Sequence, residues 1–234
     1  MAQLFRNPRS GNDWTANELS AYNITVVPQS KEVFFGTIDF PDPTDPSLAG
    51  FMATESRQHV ADTDKRTKQL LHYLDLAMEP KIGQEAAVDN FAAELLKCLG
   101  YDDENRIVFI RHAIPFLICG ENLVAQTDVC VMDDNEILLL LQEDKRLSNM
   151  IDPEPQNANL TCLTMVGTTP IFYKITVTAS LSKAVQTGTY PETETHVLRY
   201  VPALPRRNSE GMRPLPNRLE ILRCLEAFKR FLGN

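Results

Sequence analysis

Residues 127–145 read TDVCVMDDNEILLLLQEDK. Two β-rich runs, 127–132 and 136–145, flank Asp133, Asp134 and Asn135, residue types that favour the tight turn of a hairpin. Side chains alternate across a strand, so Glu143 and Lys145 share one face and Asp144 takes the other. Antiparallel pairing of the two runs brings Asp128 toward the Glu143 end. An apolar strand that ends in Glu-Asp-Lys thereby delivers two carboxylates and an ammonium to one sheet-edge region. Two carboxylates can hold a hard divalent ion such as Mg²⁺, which prefers oxygen ligands. A lysine beside them can orient an attacking water or offset charge that develops on a phosphoryl group. The same three residues also suit a strand end that simply runs out into solvent.

The flanking sequence sets the frame for this hairpin. Residues 85–99, EAAVDNFAAELLKCL, place Val88, Phe91, Ala92, Leu95, Leu96 and Leu99 on one helical face, and Gly100 stands at the natural stop. A strand is expected from Arg106 to Ile110, continuing through Pro115 to Cys119. Helix, strand, then hairpin predicts a mixed sheet rather than a series of βαβ units. Beyond Lys145, residues 148–159 make a poor helix, 160–178 has strong β content in two parts, and 195–201 reads as another strand. A short helix is expected near 180–188 with Ser180 or Ser182 as its cap. The last helix carries Leu219, Leu222, Leu225, Phe228 and Leu232 as a core-facing stripe. Upstream, residues 1–22 read as polar loop, ITVV and EVFFGTI as two β-rich runs, and 55–78 as one helix or two.

Composition limits the function classes. With 234 residues, 43% of them hydrophobic, the chain can bury a core without disulfides, and no domain linker stands out, so a single domain over 1–234 is expected. EILLLLQ is far shorter than the roughly 20 apolar residues a membrane-spanning helix needs. Cys98, Cys119, Cys130, Cys162 and Cys224 follow no metal-ligand spacing, and their apolar surroundings suit reduced, buried thiols in an intracellular setting, cytoplasmic or nuclear. The net charge of −8 divides into +5 over residues 197–234 and −13 over the rest. An acidic body opposes indiscriminate binding to nucleic-acid backbones, while the basic end supplies a local patch in which Arg206 and Arg207 are the best phosphate contacts. Phosphate-loop, serine-hydrolase-elbow and His-Glu-x-x-His motifs are missing from the sequence.

Asp128, the Glu143-x-Lys145 strand end and the preceding helix that ends in Leu99-Gly100-Tyr101 resemble the PD-(D/E)XK nuclease superfamily, including a fungal branch with restriction-endonuclease-like cores. The resemblance covers residues 84–178, with 1–60 as an N-terminal extension and 195–234 as a C-terminal strand, loop and packing helix. It implies an α/β fold with an α-β-β-β-α-β core around a central mixed sheet. It further implies Mg²⁺- or Mn²⁺-dependent phosphodiester hydrolysis, with Asp128 and Glu143 as metal ligands and Lys145 as a catalytic residue. Glu85 matches the acidic residue of the first helix that completes such a metal site, with Glu94 as its rival on the same helix. The family places a helix after the Glu-x-Lys strand. Here residues 146–159 contain two prolines and little helical periodicity, so that crossover helix is expected to be reduced. This departure and the acidic body keep a second class open, a nuclease-like fold that binds or self-associates without turnover.

Overall fold

The computed structural model describes residues 15–82, 84–134, 137–143 and 158–232. It is a mixed α/β protein. In chain order the elements are α1 (Ala16–Ala21), β1 (Ile24–Pro28), α2 (Lys31–Phe35), α3 (Ala49–Ala53), α4 (Lys65–Ala77) and α5 (Gln84–Cys98). There follow β2 (Ile107–Ile110), β3 (Ala113–Ile118), β4 (Glu121–Gln126), β5 (Val129–Met132), β6 (Ile137–Glu143), β7 (Ala158–Val166) and β8 (Thr169–Val177). The chain then forms α6 (Ala179–Thr187), β9 (Thr195–Tyr200), α7 (Arg207–Glu210) and α8 (Leu215–Phe228).

Seven strands make a mixed sheet in the order β1-β9-β8-β7-β6-β5-β2, with β3 and β4 as a separate hairpin. The pairs β1–β9 and β6–β7 are parallel, and the remaining neighbours in the sheet are antiparallel. The expected hairpin is present as β5–β6, with Val129 opposite Leu141 and Val131 opposite Leu139. Residues 15–60 and 195–232 do not stand apart from the rest. They supply β1 and β9 to the sheet, and Phe34, Leu48, Phe51 and Phe228 to the main core.

Helix α5 forms as its periodicity requires. Val88, Phe91, Ala92, Leu95 and Leu96 are buried on one side. Gly100 adopts φ 72°, and the Tyr101 N–H donates to Leu96 O at 3.0 Å, closing the helix in a Schellman-type turn. Tyr101 is itself fully buried and donates its hydroxyl to Leu225 O at 2.7 Å, fixing the end of α5 against α8.

Four local expectations are corrected. EVFFGTI does not form a strand: Lys31–Phe35 is helical, started by Ser30 as N-cap and stopped by Gly36 at φ 61°. The helix presents Phe34 and Phe35 to Phe172, Tyr200 and Phe228, and this aromatic cluster outweighs the β propensity of the run. Residues 16–21 form a helix rather than loop, because Thr15 and Glu18 make a reciprocal capping box. The cap of α6 is Thr178, whose side chain accepts from Leu181 N, in place of either serine. Finally, β2 does not continue through Pro115. Arg111 takes φ 58°, turning the chain out of the sheet into the β3–β4 hairpin.

Among the described residues, the largest fully buried side chain is a cation, Arg218 of α8. Its guanidinium donates to five carbonyls, those of Phe51, Thr54, Glu55, Met212 and Arg213, at 2.7–3.2 Å, and stacks 4.6 Å from the Phe51 ring centroid. Burial draws its pKa down to about 10, so it remains charged at neutral pH. It thereby joins the end of α3 to the start of α8. Arg218→Met keeps the apolar stem but leaves buried carbonyls without donors. Urea unfolding should show a loss of about 3 kcal/mol or more. Arg218→Lys should recover only part of it, since three ammonium hydrogens cannot serve five carbonyls. Wild-type stability in the methionine variant would remove Arg218 from its structural role.

Candidate functional site

Asp128 stands where the side hairpin rejoins the sheet. The Arg111 N–H donates to Asp128 O and the Thr127 N–H to His112 O, at 3.0 and 2.9 Å. These two bonds close the base of the β3–β4 excursion and put a bend at Asp128 immediately before β5. Val129 and Val131, next along the strand, are fully buried in the core that also holds Val88, Phe91 and Leu95 of α5. Asp128 therefore sits directly before β5, a strand that packs on α5.

Glu85 lies in the first turn of α5, and Asp89 follows one helical turn later. Asp89 is the residue the sequence reading missed. Only 8% of it is exposed, and its Oδ1 is buried without a hydrogen-bond partner. Burial pushes its pKa up to about 6, and the nearby charges of Asp128 and Glu85 push the same way, against a partial offset from Arg111. The charges of Glu85 and Asp128 thus both act on the buried Asp89 carboxylate. A signal for Asp89 was available: it is four residues from Glu85 and lies among Val88, Phe91 and Ala92, an acid inside an apolar stripe. Glu94, the rival to Glu85, faces elsewhere, paired to Arg66 at 2.9 Å and Lys97 at 3.7 Å.

Glu143 is the last residue of β6, its backbone in parallel register with Met165 of β7. Lys145, together with 146–157 of the expected crossover, lies outside the described residues. Carboxylate oxygens are the donors a hard divalent ion requires, and a buried oxygen without a partner is the kind of group such an ion satisfies. Among the described residues, no three His, Cys, Asp or Glu side chains are grouped tightly enough to enclose an ion as they stand.

The remaining candidates separate cleanly. All five cysteines are free, and burial raises Cys162 and Cys224 to about 12, which suits inert packing thiols. Arg206 and Arg207 diverge: Arg206 is exposed and paired to Glu210 at 2.7 Å, whereas Arg207 is half-buried against β8 and β9. No helix among the described residues is long and apolar enough to cross a membrane. No family model and no curated protein matches the sequence.

The raised pKa of Asp89 has a definite consequence for stability. With about 6 in the folded protein against an ordinary 3.8, the folded state binds the extra proton between those values. Stability should therefore fall as pH rises through that window, with the full penalty present above about 6. Asp89→Asn should stabilise the metal-free protein at pH 7.5 by on the order of 2 kcal/mol and flatten that part of the pH profile. Urea titrations at pH 4, 6 and 7.5 measure both. An asparagine variant less stable than wild type at pH 7.5 would mean that the carboxylate has a partner in the folded state.

Proposed function

We propose that the chain is a divalent-metal-dependent phosphodiester hydrolase acting on nucleic acid, with a restriction-endonuclease-like core. The observation that carries this reading is Asp89, a buried, partnerless carboxylate oxygen within the field of two further carboxylates. Such a group is costly in the free protein and becomes favourable when a cation is shared among its members. The order of elements supports the same reading. Helix α5 is followed by β2, β5 and β6 as antiparallel neighbours, and then by β7 parallel to β6. The resemblance implies these strands, with β3–β4 as an inserted hairpin, while the second helix of its core falls on residues 146–157, outside the described residues.

In this proposal Glu85, Asp89, Asp128 and Glu143 hold Mg²⁺ or Mn²⁺. A bound ion would supply an electrophile for a phosphoryl oxygen and lower the pKa of a coordinated water. Asp89 must shed its proton to serve as a ligand, so ion affinity rises with pH through about 6. Asp128 is kept in place by the base of the side hairpin, which limits the rearrangement needed on binding. Lys145 orients the attacking water and offsets charge on the phosphoryl group.

Calorimetric titration with Mn²⁺ and cleavage of mixed DNA and RNA substrates test the proposal together. Asp128→Asn should weaken Mn²⁺ binding at least about tenfold, since a ligand charge is lost. Lys145→Met should remove most turnover while leaving the melting temperature near wild type. Arg230→Met, at the end of the last helix and stacked on Phe231, should leave turnover intact. Equal effects from the two methionine substitutions would reduce the supposed site to a general charge effect, and the enzymatic reading would be abandoned.

A second reading, a nuclease-like fold that self-associates without turnover, draws on one feature. Strand β2 is one of the two edge strands of the sheet, and there Ile107, Phe109 and Ile110 are 56%, 45% and 41% exposed. The stripe of the final helix cannot serve, because Leu222, Leu225 and Phe228 are buried in the core. An unprotected apolar edge strand is a template for pairing with another chain. Light scattering over a concentration series should then show dimer that Phe109→Lys abolishes. Monomer at every concentration rejects this alternative.

A further inference from the structure

We infer that Arg199 and Arg207 form a binding site for a phosphate-type oxyanion on the sheet face opposite the carboxylates. Tyr173 and Arg199 are cross-strand partners on β8 and β9, one position from Phe172 and Tyr200, which belong to the main core. Alternation sends Tyr173 and Arg199 to the other face. Arg207 reaches the same neighbourhood from the start of α7, its charge within the influence of both residues.

Among the described residues, Arg199 and Arg207 are the arginines with buried guanidinium nitrogens that lack a partner. Arg66, Arg106, Arg206, Arg213 and Arg223 each face a carboxylate within 4 Å, and Arg218 is surrounded by carbonyls. By contrast Nε of Arg199 and both Nε and Nη2 of Arg207 are buried N–H groups without an acceptor. The side-chain hydrogen bond that Arg207 does make is a long one, Nη1 to Asn208 at 3.4 Å. Burial and the charge of Arg199 both pull the pKa of Arg207 down, and no carboxylate is among the groups acting on it. A pair of like charges with several unfilled donors is expensive to maintain, since a buried donor lacking an acceptor loses its hydration without replacement. A planar fork of N–H groups on each of two guanidiniums matches a tetrahedral oxyanion, which would fill the donors and cancel the repulsion. Both residues are half-buried, so each side chain keeps some contact with solvent, and an anion would meet the buried nitrogens through a small movement of the guanidiniums. The Tyr173 phenol beside them is a further donor suited to a phosphate oxygen.

This site does not depend on the metal reading, and its test is run in EDTA to keep the two apart. The full chain is titrated with inorganic phosphate at constant ionic strength, with melting temperature and calorimetry as readouts. A parallel titration uses a short single-stranded oligonucleotide lacking a terminal phosphate. Saturable phosphate binding that Arg199→Gln and Arg207→Met each weaken at least about tenfold, while Arg206→Gln leaves it unchanged, supports the site with a free or monoester phosphate as ligand. The same pattern seen with the oligonucleotide alone supports the site with a backbone phosphodiester as ligand. Without ligand, Arg207→Met should raise the melting temperature by about 2–4 °C, because it removes a repelling charge and unfilled donors. A fall in melting temperature would show that the guanidinium is already satisfied in the free protein and would overturn the inference. So would the lack of saturable binding in either titration, or equal losses from Arg206→Gln.

Discussion

Helix α5 can bury its apolar stripe only by carrying Asp89 inward with it. Val88, Phe91, Leu95 and Leu96 are each almost wholly buried, and such side chains contribute about 1.5–3 kcal/mol apiece. The rise of the Asp89 pKa to about 6 corresponds to a cost on the order of 3 kcal/mol at neutral pH. The hydrophobic gain is the larger by a wide margin, so the helix stays docked and the carboxylate bears the strain. Because the same docking fixes Glu85 one turn earlier and sets both against Asp128, the main core and the candidate metal centre follow from one contact surface.

A comparable constraint acts at the other end of the molecule. The carbonyls at the end of α3 and at the start of α8 are buried, and backbone acceptors in that setting require donors. Arg218 supplies them from one side chain, with no carboxylate among its hydrogen-bond partners. Its charge is spread over five dipoles, a form of solvation by the backbone rather than an ion pair. The aromatic cluster of Phe34, Phe35, Phe172, Tyr200 and Phe228 then covers the sheet between α2 and α8. The N-terminal and C-terminal segments thus meet on the same face and close a single core over it.

The sheet separates two kinds of charge. Carboxylates gather near α5 and the start of β5, whereas Arg199 and Arg207 lie on the reverse face of β8 and β9. At this separation a cation taken up by the first group and an anion taken up by the second would not compete for the same atoms. The hairpin β3–β4 is important to the first group alone, since its base holds Asp128 in position.

How much of this was legible in the sequence depends on how local each cause is. The stripe of α5, the stop at Gly100, the β5–β6 hairpin and the two β runs of β7 and β8 rest on periodicity and turn chemistry, which neighbouring residues determine by themselves. Asp128 stood out because a carboxylate beside Val-Cys-Val is anomalous in any strand. Lys31–Phe35 could not be read correctly, since its helical state depends on aromatic partners more than a hundred residues away. The departure of the chain at Arg111 was likewise hidden, because nothing in the residue type announces a positive φ. Asp89 was visible as an acid in a stripe, yet its partnerless burial arises only when α5 meets the sheet. Arg199 and Arg207, eight positions apart in sequence, become a pair only because β9 and the following loop fold back onto β8. Sequence alone determined the elements whose causes lie within a turn or a hairpin. Tertiary structure decided which charges share a low-dielectric space, because that depends on contacts between segments far apart along the chain.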